Sequence, residues 1–191
     1  MKNKPNRKII RMAGYDYSQP GMYFVTICCQ NRAGLFGTIE NGEMFLNDAG
    51  QMIEKWYLEL KNKFLNVQCG DYIIMPNHFH AIIILLGGNN EPKLFGHAKT
   101  KMNGHEKTKM DGHKGPSLPE VMQWFKTMTT NEYIRGVKQF GWKPFNGKMW
   151  QRSYYEHIIR NEKSYINIKN YILNNPKNWN NDKLNTNEPN S

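Results

Sequence analysis

Apolar and polar residues follow two periods along this chain. Met22 to Gln30, MYFVTICCQ, is a run of β-branched and aromatic residues that predicts a buried strand. A glycine-containing segment leads to a second short strand around Glu43 to Leu46. The period then changes. Ala49, Met52, Ile53, Trp56 and Leu60 recur at helical spacing behind Asn47 or Asp48, either of which can cap a helix reaching about Asn62. Val67 to Met75 and His78 to Leu86 are a third and a fourth strand, parted by Pro76-Asn77 as a tight hairpin or as one broken strand. Ser117 stands three residues before Glu120, a capping-box spacing, and opens a helix to about Arg135 with Val121, Trp124, Phe125 and Met128 on one face. Trp150 to Ile159 is a fifth strand, and Asn161 caps a last helix ending at Asn175-Pro176.

This order, strand, strand, helix, strand, strand, helix, strand, helix, predicts an α+β fold: an antiparallel sheet with helices packed on it. The expected organisation is a basic arm over 1–12, one domain over 13–179, and a polar, disordered tail over 180–191. Residues 96–115 carry a tandem polar octamer, GHAKTKMN, GHEKTKMD, then GHKG. Two and a half polar copies cannot form a solenoid, so a disordered surface loop is expected. Its His97, His105 and His113 come from the repeat itself and give no metal site.

Charge narrows the partners. Among 191 residues, 26 Lys and Arg face 16 Asp and Glu, a formal net charge of +10. Such a surplus favours a polyanion. Ten tyrosines, nine phenylalanines and five tryptophans add rings on which the bases of a single strand can stack. Lys4, Arg7, Lys8 and Arg11 in the basic arm are candidate nucleic-acid contacts. The longest apolar stretch, Ala81 to Leu86, is far below the roughly 18 residues a membrane span needs, and no apolar signal segment follows the basic start, so the cytoplasm is the expected compartment. Cys28, Cys29 and Cys69 have neither disulfide-framework nor zinc-finger spacing and are expected to be core thiols.

Two motifs carry candidate chemistry. His78 and His80, in MPNHFH, are two apart on a strand, so both imidazoles face one way and Phe79 the other. They can share a divalent ion with ligands from elsewhere, Mn²⁺ or Mg²⁺ clamping a phosphate; they can also be two solvated histidines at a strand start. On the last helix, at about 100° per residue, Tyr165, Ile168 and Ile172 form the core face. Ser164, Asn167, Tyr171 and Asn175 fall on the far side. Tyr171 is then a nucleophile, a stacking platform or a plain surface tyrosine. Its hydroxyl, with a pKa of about 10, needs a cation or a metal-polarised phosphate to attack. Asn175, one turn on, can offer a third ligand oxygen. His157 is a weaker candidate, alternating with Ile158 and Tyr155 on a strand.

HFH after a strand, then WQRSYYEHIIRN, then NYILNNP on a helix resembles the single-tyrosine HUH transposases. The opening GYDYSQPGMYFVTICCQNR and the MPNHFH hairpin are most similar to the REP-associated tyrosine transposases, and the resemblance spans about Arg11 to Trp179 apart from the octamer loop. It implies a ferredoxin-like α+β domain, His78 and His80 as metal ligands, Tyr171 as catalytic tyrosine and Asn175 completing the metal site. Asparagine is shorter than the glutamine many relatives carry there. The implied activity is cleavage and rejoining of single-stranded DNA through a 5′-phosphotyrosine, with Mg²⁺ or Mn²⁺, at hairpin-containing sites, by a monomer or homodimer. Competing readings are a non-catalytic DNA-binding regulator derived from a transposase, a hydrolase that attacks with water, and an RNA-binding protein.

Overall fold

The computed structural model describes residues 12, 14–87 and 115–185. The basic arm with Lys4, Arg7, Lys8 and Arg11, and the octamer segment up to 114, lie outside the described residues. The elements are β1 (Gly21–Cys28), β2 (Gly37–Glu40), β3 (Glu43–Leu46), α1 (Asp48–Leu58), α2 (Leu60–Lys63), β4 (Val67–Met75), β5 (His78–Leu85), α3 (Leu118–Phe140), β6 (Tyr155–Ile159) and α4 (Glu162–Asn174). The main sheet is antiparallel with order β4-β5-β1-β6, and β2 and β3 form a separate hairpin. Helical crossovers join β1 to β4 and β5 to β6, and with the β4–β5 hairpin at one edge of the sheet they give the ferredoxin-like split βαβ arrangement.

Local chemistry sets the element ends. Asn47 caps α1 by accepting the Gly50 N–H at 2.9 Å, and Asn161 caps α4 by accepting the Ser164 N–H at 2.8 Å. The Glu120 carboxylate accepts from both the Ser117 backbone N–H and its hydroxyl. The α3 helix outruns the expected Arg135 by five residues and stops at Gly141, whose φ of 69° is the left-handed conformation that ends helices. The fifth strand is shorter than expected: Trp150 makes only an isolated bridge to Cys29, and the strand proper begins at Tyr155. The hairpin strand Gly37–Glu40 escapes the sequence pattern because Ile39 is its only large apolar residue.

Alternation sorts the sheet's two faces. Tyr23, Val25 and Ile27 of β1 and Phe79, Ala81, Ile83 and Leu85 of β5 pack with Ile53 and Tyr57 of α1 and Val121, Phe125 and Tyr133 of α3. The opposite face carries a smaller core, Met22, Phe24, Ile82 and Ile159, covered by Ile172 of α4. No described helix is long and apolar enough to cross a membrane.

Candidate active site

Toward one end of β1 and β5, the face under α4 turns from apolar to polar. Pairing of β1 with β5 sets Thr26 opposite His80 and Cys28 opposite His78. The two imidazoles lie with ring centroids 4.5 Å apart, while Phe79 between them points to the other core and stacks on Phe125. Both histidines are almost wholly buried.

Their hydrogen bonds set which nitrogen of His78 is free and where the nitrogens of His80 point. His78 Nδ1 faces Asn77 Oδ1 at 2.7 Å; an amide oxygen only accepts, so Nδ1 carries the proton and Nε2 the lone pair. His80 Nδ1 contacts the Thr26 hydroxyl at 2.7 Å, which leaves Nε2 turned to the Tyr171 hydroxyl at 3.2 Å. Such partners behind an imidazole are those that orient a metal ligand. Burial pushes the His78 pKa down to about 4, opposed by Asp182 and assisted by Arg32. Burial, with His78 beside it, also holds His80 well below the usual histidine range. Both rings are therefore neutral near pH 7. The 4.0 Å approach of His78 Nε2 to Asp182 Oδ2 is then not an ion pair.

Asp182 was not visible as a site residue in the sequence. The segment from Asn180 to Asn185, expected to begin the polar tail, instead continues a 3₁₀ turn at Trp179–Asn181 and crosses the site. Trp179 is buried near the His78 ring, Asn77 Nδ2 donates to Leu184 O at 2.8 Å, and Leu184 N–H donates to Asp182 Oδ1 at 2.8 Å. Trp179 among asparagines and lysines was the available signal: a lone large apolar ring in a polar run marks an anchor. With Oδ1 held by the turn, Oδ2 is buried without a hydrogen-bond partner among the described residues, as are His78 Nε2 and Asn175 Oδ1. Ligand atoms of His78, His80 and Asp182 lie within 4.8 Å of one another. Ligands of one ion, each about 2.1 Å from it, are separated by about 3–4 Å. Lone pairs without partners, neutral imidazoles and a carboxylate thus fit a divalent ion, with Asn175 Oδ1 available beside them.

The α4 helix brings Tyr171 and Asn175 to this cluster. Tyr165 donates to Asp71 at 2.9 Å and Lys169 pairs with Asp71 at 3.4 Å, which pins one side of the helix to β4. Ile172 is buried on the sheet, and Tyr171, one residue back, packs on Phe24 and His80 with ring centroids 6.0 and 5.1 Å away. The sequence-based placement of Tyr171 on a side facing away from the core is therefore corrected. The sheet beneath α4 changes from apolar to polar, so the helix engages it with two adjacent stripes. Ile166 and Leu173, the remaining apolar residues of the helix, stay exposed. Tyr171 keeps 45 % of its surface, and burial, then the Asp182 carboxylate, raises its pKa, while the Asn175 amide favours the phenolate.

His80, Tyr171, Asn175 and Asp182 line a cavity of about 740 Å³ with Arg32, Gln151, Tyr154, Tyr155 and Lys183. A second groove of about 970 Å³ meets it at Tyr154 and runs between α3 and residues 145–154. Lys126, Lys148 and Arg152 line it with Gln123, Thr127 and Thr130, and no acidic side chain is among the described lining residues. Lys126 donates to Gln151 O and Arg152 O, and burial with Lys148 nearby lowers its pKa to about 8. His157 does not reach the cluster. It contacts Ser164 at 3.4 Å in a shallow groove on the other side of Tyr171. Among the expected core thiols only Cys29 is buried; Cys28 lines the cavity, and all three are free.

No family model matches the chain. It is 36% identical over 179 residues to an uncharacterized protein of Haemophilus influenzae, covering 94% of this chain and 93% of that one. Its fold is similar to that of a REP-associated tyrosine transposase solved bound to a REP hairpin, with TM-score 0.53 and 19% identity over 87% of this chain and 73% of that one. At that identity the likeness speaks for the fold.

Proposed function

We propose that this chain, which belongs to one family with the uncharacterized Haemophilus influenzae protein, is a transposase-type enzyme that cuts and rejoins single-stranded DNA through Tyr171. The observation that carries the reading is the Tyr171 hydroxyl, 3.2 Å from His80 Nε2, beside three buried ligand atoms without hydrogen-bond partners among the described residues. His78, His80 and Asp182, with Asn175, would hold a divalent ion, Mg²⁺ or Mn²⁺. Bound there, the ion supplies positive charge against the phosphate and offsets the Asp182 carboxylate that disfavours the phenolate.

The chain's own residues do the rest. Phe24 and His80 orient the Tyr171 ring, and the Asn175 amide stabilises the oxygen as it loses its proton. Tyr171 Oη forms the bond to phosphorus, and the bond from phosphorus to the 3′-oxygen breaks. The phenol proton leaves to water through the open cavity, and the 3′-oxygen takes one up. The product is a 5′-phosphotyrosine and a free 3′-OH, so the linkage energy is kept and rejoining needs no ATP. The basic groove holds the flanking strand, with Lys148 and Arg152 on phosphates and Tyr154 at its junction with the cavity. A hairpin-containing site is the expected substrate, since the transposase of similar fold was solved on a REP hairpin.

The test is label transfer. Wild-type protein with Mn²⁺ and end-labelled hairpin DNA should give protein-attached label. Tyr171→Phe should reduce it by at least about 10³-fold while leaving the fold intact. Cleavage that persists in Tyr171→Phe without attached label would mean attack by water. Tight binding with no cleavage by wild type would favour a DNA-binding regulator.

A further inference from the structure

Beside β1 the chain makes a 3₁₀ turn at Gln30–Arg32 in which two successive non-glycine residues are left-handed, Asn31 at φ 55° and Arg32 at φ 53°. L-residues with side chains adopt that region at a cost, and arginine has no local bond that would offset it. The turn is nonetheless firmly held. Gln30 N–H donates to Met149 O at 2.8 Å, Arg32 N–H to Cys29 O at 3.1 Å, and Leu35 N–H to Pro76 O at 2.8 Å. The arginine side chain lines the cavity of Tyr171 and His80. Its Nη1 is shielded from solvent and has no hydrogen-bond partner among the described residues. Its charge is felt at both His78 and Cys28. A strained backbone thus places Arg32 in the lining of the cavity, with one guanidinium nitrogen buried and without a hydrogen-bond partner among the described residues.

We propose that Arg32 is a catalytic residue that grips the non-bridging oxygens of the phosphate attacked by Tyr171. A guanidinium presents two parallel N–H donors that match two phosphate oxygens. As Tyr171 Oη bonds to phosphorus and the 3′-oxygen departs, negative charge gathers on those oxygens. A donor already held in place then acts with little reorganisation. The assignment rests on the phosphotyrosine reading for its reaction, and on the turn and the unpaired Nη1 for its residue.

Arg32→Gly separates this role from a structural one, because glycine relieves the left-handed strain. The variant should melt at or above the wild-type temperature, yet form the tyrosine adduct about 10²-fold more slowly on a phosphodiester. With a methylphosphonate at the cleaved position, one charged oxygen is gone and the two proteins should differ by less than about 10-fold. Arg32→Lys, which keeps charge but not the paired donors, should fall between. Equal adduct rates in wild type and Arg32→Gly, or an equal loss on both substrates, would overturn the proposal. If wild type forms no adduct at all, the phosphotyrosine reading fails, and inorganic phosphate still decides the residue. Phosphate should shift the Trp179 indole NMR signal in wild type at concentrations at least about 10-fold below those Arg32→Gly requires; identical titrations would sink the assignment.

Discussion

On the face of the sheet packed against α1 and α3, β5 contributes Phe79, Ala81, Ile83 and Leu85; on the face under α4 the same strand contributes His78, His80, Ile82 and Ile84. Both sets are mostly buried, but for different reasons. The first loses apolar surface to water's exclusion and is stabilised by about 25 cal/mol per Å² removed. The second holds two imidazoles that burial penalises, so that neither can protonate near neutrality. Buried polar groups are normally paired, and His78 Nε2, Asn175 Oδ1 and Asp182 Oδ2 have no partner among the described residues. One strand thus carries a packing face and, on its reverse, a face whose buried polar groups are left without partners among the described residues.

Truncating neighbours on that strand breaks the comparison most strongly. Phe79→Ala should cost about 3–5 kcal/mol in metal-free urea unfolding. It removes a ring packed on Tyr57 and Phe125. His80→Ala should cost no more than about 1–2 kcal/mol, since the lost Thr26 and Tyr171 contacts are partly offset by relief of the buried ring's desolvation. Calorimetric Mn²⁺ titration should rank them in reverse, with binding abolished in His80→Ala and retained in whatever fraction of Phe79→Ala stays folded. Equal stability losses would make the polar end a structural feature rather than a site.

The second effect is on pH. The folded-state pKa of His78, about 4, lies below its ordinary 6.5, so the unfolded chain binds more protons between those values. Stability is then fully present above about pH 6.5 and falls as pH drops toward 4, by up to about 3 kcal/mol from this residue. Asp182 and Arg32 face the ring and act in opposite directions on it, so the slope belongs to the cluster. His78→Gln should reduce it in chelator-treated protein, leaving the part that the buried His80 contributes, and the apolar-face variant Ile83→Val should leave it unchanged. An undiminished slope in His78→Gln would place the titrating group elsewhere.

The same contrast explains what the sequence disclosed. Regular periods wrote themselves into it: β4 and β5 end within one residue of their expected bounds, and the HxH pair lies on one face because strands alternate. Tyr171 and Asn175 were legible as one helix stripe, whereas the turn of that stripe onto the sheet depended on Asp71 holding Tyr165 and Lys169. Asp182 and Arg32 were not legible. One is placed by a bond from Asn77 to Leu184 across 107 residues, the other by backbone left-handedness at a residue type that gives no hint of it. Contacts between distant segments have no period, and the site is built largely from them.

The smallest expected effect concerns the basic groove, which neither face of the sheet forms directly. Lys148 and Arg152 meet the cavity of Tyr171 only through Tyr154 among the described lining residues, so on the proposed function they should act on how tightly a strand is held and not on the chemistry. Charge reversal at Lys148 should weaken binding of a hairpin with a single-stranded flank by about 10-fold and lower the salt slope of binding by about 1. The single-turnover rate of adduct formation at saturating DNA should stay within about 2-fold of wild type. The loss should shrink as the flank is shortened, because fewer phosphates then reach the groove. A loss independent of flank length would place the strand on another surface, and a fall in the saturated rate would draw Lys148 into the reactive cavity itself.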